Sequence, residues 1–298
     1  LARKRKGRPI HGWLNIDKPP GLTSARVVAQ VLKLTGAAKG GHGGTLDPMA
    51  TGVLPIALGE ATKTASYAMD GYKTYRFTLR WGEARDTDDA EGAVTATSDV
   101  RPAEDAIRAA LPGCTGVIDQ VPPDYAAVKI DGRRAYDLAR QGEAVELAPR
   151  PVTIHRLELM AITDEDHTVF EIDCGKGTYV RALARDLAVT LGTLGHLSEL
   201  RRTRVGKFLE NDAISLDKLG DLMHSAALSE HLRPVETALD DIPALAMTES
   251  QATRLSQGQV VQVLGTEPGL VRVTADDRLV ALAEVNDGDV RPVRVFNL

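Results

Sequence analysis

From Lys73 to Trp81 the chain alternates strictly. Tyr75, Phe77, Leu79 and Trp81 fall on one side, Thr74, Arg76, Thr78 and Arg80 on the other. A period of two predicts a β-strand with one buried face and one wet face. Strands covered on both sides, as in doubly wound parallel sheets, read as continuous apolar runs instead. Other segments fit around this strand. His11–Asp17 reads as a strand ended by the turn sequence Lys18-Pro19-Pro20-Gly21. Thr23 or Ser24 can cap a helix through about Leu34, with Gly36 just past its end.

Gly40–Pro48 holds four glycines and a proline, which suits a loop, and Val53–Leu58 is a short apolar strand. Helices are expected over Ala61–Met69, Ala103–Leu111, Arg134–Arg140 and from Lys176-Gly177-Thr178 to about Leu191. Strands are expected over Tyr125–Ile130, Val152–Met160 and Thr168–Cys174. Strands and helices intermingle without regular alternation, which predicts an α+β fold with a mixed or antiparallel sheet. Composition shifts near Pro234–Pro243. Beyond it lie one helix-like segment (Glu249–Ser256) and four short apolar runs: Val260–Leu264, Leu270–Val273, Leu279–Val285 and Val290–Phe296. That spacing predicts a small β-rich second domain over 243–298, after a basic tail (1–9) and a main domain (10–235).

Composition narrows the function. In 298 residues no apolar run approaches the roughly 20 that a spanning helix needs. The basic start (Arg3, Lys4, Arg5, Lys6, Arg8) has no apolar stretch behind it, so no secretory signal is expected. Two cysteines, Cys114 and Cys174, are too few for a disulfide framework and point to a reducing cytoplasm. The net charge of −5 resides beyond residue 235, where 10 acids face 5 bases, so residues 1–235 are balanced. A local basic groove remains compatible with that balance, because distant charges are screened beyond about 8 Å. The seven histidines form no HExxH or His-x-His pattern, and neither GxSxG nor GxGxxG occurs, which argues against zinc hydrolases, serine hydrolases and dinucleotide enzymes.

Three places carry candidate chemistry. Asp47, in Gly41-His42-Gly43-Gly44-Thr45-Leu46-Asp47-Pro48, is either a carboxylate presented on a glycine-rich loop or a turn residue bonding its own backbone. Lys176-Gly177-Thr178-Tyr179-Val180-Arg181 is either a helix start facing an anion or an ordinary first turn. Tyr75 is either core or a platform for a ligand ring. The acidic run Asp86–Gly92 reads as a solvated turn. Arg201-Arg202-Thr203-Arg204 reads as a phosphate-touching cluster or a solvated face.

Taken in order, the segments resemble the TruB-type tRNA pseudouridine synthases, which act on the T-loop uridine at tRNA position 55. The resemblance rests on five pieces. They are Trp13–Pro19 with Gly21–Ser24, the stretch Gly41–Pro55, Gly59-Glu60-Ala61-Thr62-Lys63, Lys73-Thr74-Tyr75, and Lys176–Arg181. It implies that Asp47 is the catalytic aspartate, Tyr75 the active-site tyrosine and Arg181 the aspartate's ion-pair partner. It further implies that Tyr179 walls the pocket, Leu200 packs beside the base, His42 helps hold the extruded nucleotide, and Lys18 with Pro19 supports the catalytic loop. Lys18 is also counted with the substrate-binding set, as are Lys129 and Arg133 of an RNA-gripping insertion over 124–152. The tail is similar to the family's PUA-like RNA-binding module.

By the same resemblance the partner is the tRNA T arm. A monomer acting without guide RNA, protein partner, cofactor or metal is expected. The chemistry is consistent with this. Pseudouridylation breaks N1–C1′, turns the base and joins C5 to C1′ with no net redox, so a carboxylate can serve it. An arginine partner favours the charged carboxylate in a dry pocket.

Overall fold

The computed structural model describes residues 7–126, 147–223 and 228–298, with the backbone alone at 129–130 and 133–134. In chain order the strands of the first half are β1 (Gly12–Lys18), β2 (Gly40–His42), β3 (Thr51–Leu58), β4 (Lys73–Trp81), β5 (Glu83–Arg85), β6 (Val94–Thr97) and β7 (Gly116–Gln120). Then come β8 (Lys129–Ile130), β9 (Arg133–Arg134), β10 (Arg150–Ile162), β11 (His167–Cys174), β12 (Gly195–Val205) and β13 (Phe208–Leu209).

Nine of these strands form one sheet, in the order β1-β3-β12-β4-β11-β10-β7 with β2 and β13 at its margins. Only the β3–β12 contact is parallel, so the sheet is mixed. The predicted alternation in β4 is realised. Tyr75, Phe77, Leu79 and Trp81 are buried, facing the Ser24–Thr35 and Val180–Thr190 helices in the main core. Phe77 and Phe170 stack across β4 and β11 at 5.2 Å between ring centres.

Thr23 is the residue that caps the first helix, accepting from the Arg26 N–H, and Gly36 closes it with φ 67°. Several boundaries differ from expectation. Gly40–His42 pairs with β3 and is therefore strand, because open glycine backbone can still complete a ladder. The expected Ala61–Met69 helix begins as a 3₁₀ turn over Gly59–Thr64 and becomes α-helical over Ala65–Asp70. Tyr125 lies in a turn, with strand only at Lys129–Ile130, and Arg134 is in a strand paired to Lys129. The rest of the expected 134–140 helix lies outside the described residues.

A second sheet follows, with β14 (Ala244–Ala246), β15 (Val261–Gln262), β16 (Gly269–Ala275), β17 (Arg278–Asn286) and β18 (Asp289–Val295) in the order β14-β16-β17-β18-β15. It holds its own core, including Leu255, Val273, Ala281 and Val290. It also shares a core with the other face of the first sheet, where Trp13, Val53, Ala57 and Phe208 meet Leu279, Leu282 and Phe296. Trp13 lies 5.3 Å from the Phe208 ring and donates its indole N–H to the Val235 carbonyl. Each large apolar side chain so buried contributes about 1.5–3 kcal/mol. Among the described residues no helix is long and apolar enough to cross a membrane.

Candidate active site

The loop carrying Asp47 is fixed from three sides. Ser24 Oγ donates to the Leu46 carbonyl at 3.1 Å and accepts the Leu46 N–H at 2.8 Å. The Gly21 N–H reaches the Pro48 carbonyl at 2.8 Å. The Lys18 ammonium donates to the carbonyls of Pro19, Pro48 and Ala50 at 3.0, 3.0 and 2.5 Å. Lys18 is fully buried, and burial pulls its pKa down to about 8 against the raising effect of Asp47. An ammonium spent on three carbonyls and sealed from solvent does not touch RNA. Its placement as a substrate-binding residue is therefore corrected to the supporting role.

Asp47 meets Arg181 at the head of the Val180–Thr190 helix. Arg181 Nε lies 2.9 Å from Asp47 Oδ2, and Nη1 lies 3.4 Å from Asp89 Oδ2. The Nε contact is an ion pair by proximity, since its N–H is not aligned on an acceptor. Nη1 and Nη2 donate to the carbonyls of Thr87 (2.9 Å) and Tyr125 (3.2 Å). The arginine side chain is 6% exposed and that of Asp47 35%, so the cation is enclosed while the carboxylate faces an opening. Removing the carboxylate leaves the enclosed cation less compensated, and the exposure of Asp47 keeps the cost below the about 3–5 kcal/mol of a fully buried pair.

Behind the helix head, Gln120 accepts the Tyr179 N–H at 2.8 Å and donates to the Tyr179 carbonyl at 3.1 Å. Tyr179 is half-buried. Burial pushes its phenol pKa up, and the Asp47 charge adds to that.

Tyr75 and Leu200 lie on neighbouring strands, each 7% exposed, and both belong to the apolar cluster that also takes in Leu46 of the Asp47 loop. Burial raises the Tyr75 phenol pKa, and Arg202 works against that rise. His42 is half-buried with Nδ1 enclosed and unpartnered. Burial, then Arg202, lowers its pKa, which favours a neutral ring. Lys129 and Arg133 sit on the paired strands β8 and β9, whose side chains lie outside the described residues. A cleft of about 590 Å³ opens at the same end of the sheet, lined by Tyr72, His155 and Lys176 among others, and Asp47 does not line it.

Three contributors escaped the sequence reading. The acidic run is not a solvated turn: Asp89 is buried against Arg181, and Asp88 pairs with Arg185 at 2.7 Å. Arg202 is neither solvated nor phosphate-facing. It donates to the carbonyls of Val53, Thr45 and Gly44 at 2.8, 3.2 and 3.0 Å. Gln120 is the third. No local pattern marks any of them, because each acts across more than 50 residues of sequence. For Arg202, register shifts at Leu197/Glu199 and Arg202/Arg204 also erase the alternation that would have identified β12 as an inner strand.

The arrangement can present a carboxylate, backed by a guanidinium, beside an aromatic floor in a partly closed site. Comparisons with known proteins agree on one family. Residues 32–180 match the TruB family pseudouridylate synthase N-terminal domain. Residues 181–240 match the tRNA pseudouridylate synthase B C-terminal domain, and residues 243–296 the pseudouridine synthase II TruB C-terminal domain. The chain is 59% identical to tRNA pseudouridine synthase B of Bradyrhizobium diazoefficiens, covering 99% of this chain and 88% of that one. It is 53% identical to the protein of the same name from Caulobacter vibrioides, covering 100% of both. Among solved structures, a chain of a Cbf5–Nop10–Gar1 complex is similar with TM-score 0.75 and 28% identity, over 96% of this chain and 84% of that one.

Proposed function

The chain belongs to the TruB family of pseudouridylate synthases, and from that premise we propose that it isomerises uridine to pseudouridine in tRNA, at the T-loop position 55. The observation that carries this reading is the Asp47–Arg181 pair at 2.9 Å, at the end of the sheet that also presents Tyr75 and Leu200.

A stacked uridine cannot reach a carboxylate held on a braced loop, so the nucleotide leaves the stack, at a cost of a few kcal/mol. The uracil then lies on Tyr75 and Leu200, where aromatic stacking offsets about 1–3 kcal/mol. His42 helps hold the extruded nucleotide, and Tyr179 closes the side. The Asp47 carboxylate acts on the nucleotide as N1–C1′ breaks, and the Tyr75 phenol is placed to assist loss of the C5 proton.

The 124–152 insertion, with Lys129, Arg133 and Arg134, is the lobe that grips the T arm by its phosphates, and a steep salt dependence of RNA affinity is its signature. The 243–298 sheet is the PUA-like module that extends the RNA contact. The enzyme works in the cytoplasm as a monomer, without guide RNA or partner protein. The 50–59% identity to bacterial relatives that carry the synthase B name supports independent action over guided action.

The test is a single-turnover assay on a bare T-arm stem-loop. The unchanged protein converts the uridine at position 55 alone, whereas Asp47→Asn binds the RNA within a few-fold and forms no product. Turnover by Asp47→Asn removes that residue from its role, and inertness until guide RNA or other proteins are added transfers the reading to the guided class.

A further inference from the structure

Arg202 is a buried charge that the site does not answer with an acid. It is 1% exposed, and its nitrogens donate to three main-chain carbonyls. No carboxylate of the described residues lies within 4.0 Å of its guanidinium. Arg156, Arg181, Arg185 and Arg201, by contrast, each hold at least one. Carbonyl dipoles and the face of the Tyr75 ring, whose centre is 6.0 Å from Arg202 Cζ, compensate only part of the lost hydration. A cation kept so deep, with no counter-ion, is placed to act on negative charge that arises only during reaction.

We propose that Arg202 is a positioning residue that braces the Asp47 loop from one side, underlies the Tyr75 ring on the other, and supplies the positive field toward which negative charge on the uracil develops. This rests on the isomerase reading above. When N1–C1′ breaks, its electron pair leaves with the base, and C1′ becomes electron-deficient. The base then carries negative charge over N1 and its two carbonyl oxygens. If the carboxylate adds first at C6 instead, the charge still gathers on the base. After rotation C5 bonds to C1′, and the proton lost from C5 is matched by one gained at N1, so composition is unchanged. Every route loads the base with negative charge while Asp47 attends to the sugar or ring carbon. Asp47 and Asp89 together more than balance Arg181, and Lys18 is turned onto the main chain behind the loop, which leaves Arg202 as the cation against the Tyr75 ring that no carboxylate answers.

The groups facing Tyr75 support this division. Arg202 approaches from β12, Cys174 from β11 and Asp47 from the loop, with Lys73 on the same strand. Burial pushes the Cys174 thiol up to about 11, so it stays neutral, and Lys73 spends its ammonium on the carbonyls of Met69 and Gly71. Arg202 alone therefore eases ionisation of the phenol and polarises it toward the base. A base stacked on the far face of Tyr75 lies roughly 9–10 Å from the guanidinium, where at an effective dielectric near 20 a full unit charge alters a rate roughly twentyfold and the partial charge of a transition state about tenfold.

Three replacements separate field from brace in the stem-loop assay. Arg202→Lys keeps the charge and loses the planar fork; Arg202→Gln loses both. Replacing Arg202 by citrulline keeps the shape and most of the N–H groups and loses the charge. The expected result is a single-turnover rate about tenfold lower for citrulline than for the unchanged protein, with Arg202→Lys faster than Arg202→Gln and RNA affinity within twofold throughout. The pH at which the phenol ionises, read from the pH–rate profile, moves upward with citrulline and stays near the unchanged value with Arg202→Lys. A citrulline protein at full rate with an unmoved profile makes Arg202 a brace only and overturns the proposal, even should Arg202→Gln fail to fold. An unchanged protein that leaves the RNA untouched overturns the isomerase reading and this proposal together, so the two failures are told apart.

Discussion

Arg181 holds two carboxylates at once, Asp47 at the opening and Asp89 behind it. Without Asp89 the guanidinium keeps the carbonyls of Thr87 and Tyr125 and a single carboxylate, Asp47, so the place of that carboxylate relative to Tyr75 is less tightly set. Asp89 also accepts the Thr87 hydroxyl at 2.6 Å and the Glu91 N–H at 3.1 Å, so its loop depends on the same carboxylate. Asp89→Asn is expected to lower unfolding stability by about 3 kcal/mol, since one partner of a buried charge set is lost. Turnover on the stem-loop should fall by more than tenfold while RNA affinity stays within a few-fold. Denaturant titration beside the single-turnover assay checks both halves. Loss of stability with full turnover would confine Asp89 to the fold.

At the scale of elements, the part of the outer face formed by β4, β11 and β10 is tied by a charge network, whereas the β1–β3 part is packed. Arg156 on β10 bonds Asp173 at 2.7 Å and also reaches Glu171, both on β11, and Asp173 accepts the Thr74 hydroxyl of β4 at 2.6 Å. Burial raises the Asp173 pKa, but the hydrogen bonds from Arg156 and Thr74 outweigh it and hold the carboxyl below its ordinary value. A depressed carboxyl contributes stability that is present above the unfolded value, about 3.9, and lost as pH falls through the lower folded value. Asp173→Asn should therefore be less stable than the unchanged protein at pH 6, and the gap should close below about pH 4. Urea unfolding at pH 6 and at successively lower pH from 4 downward measures it, and a gap that does not narrow as pH falls contradicts the assignment. The element scale is also where the sequence was most readable. Period-two alternation marked β4, and the Thr23–Gly36 punctuation marked the first helix, because both depend on neighbours a few residues apart. β12 went unread, since two bulges spoil its alternation and its buried Arg202 looks like surface.

Over the whole molecule the two sheets share one apolar cluster, so the second module is packed onto the first and is not a loosely tethered bead. Leu282 is fully buried on the second sheet, within the cluster that contains Trp13 and Phe208 of the first. Lys63 reinforces the junction by donating to the Val295 carbonyl at 2.7 Å, and Glu60 by accepting the Asn297 N–H at 2.9 Å. Leu282→Ala is expected to cost about 2–5 kcal/mol through the cavity it leaves. Trp13 lies in the shared cluster and Trp81 in the main core, so tryptophan fluorescence and far-ultraviolet dichroism should report one coincident transition at a lower midpoint. Two separate transitions would show that the modules unfold independently.

The amino-acid order by itself determined the α+β class, the turn and cap positions, the β-rich tail and, through resemblance to a family, the expectation that Asp47, Tyr75 and Arg181 work together. Each of these is written in local spacing or in contiguous motif. The tertiary structure alone decided that Lys18 faces inward, that Asp89 answers Arg181, that Gln120 sets the head of the Val180–Thr190 helix, and that Arg202 lies uncompensated beneath Tyr75. A charged side chain reads as solvent-facing from sequence. Only the three-dimensional placement of distant carbonyls and counter-charges makes its burial affordable, and that placement has no local signature.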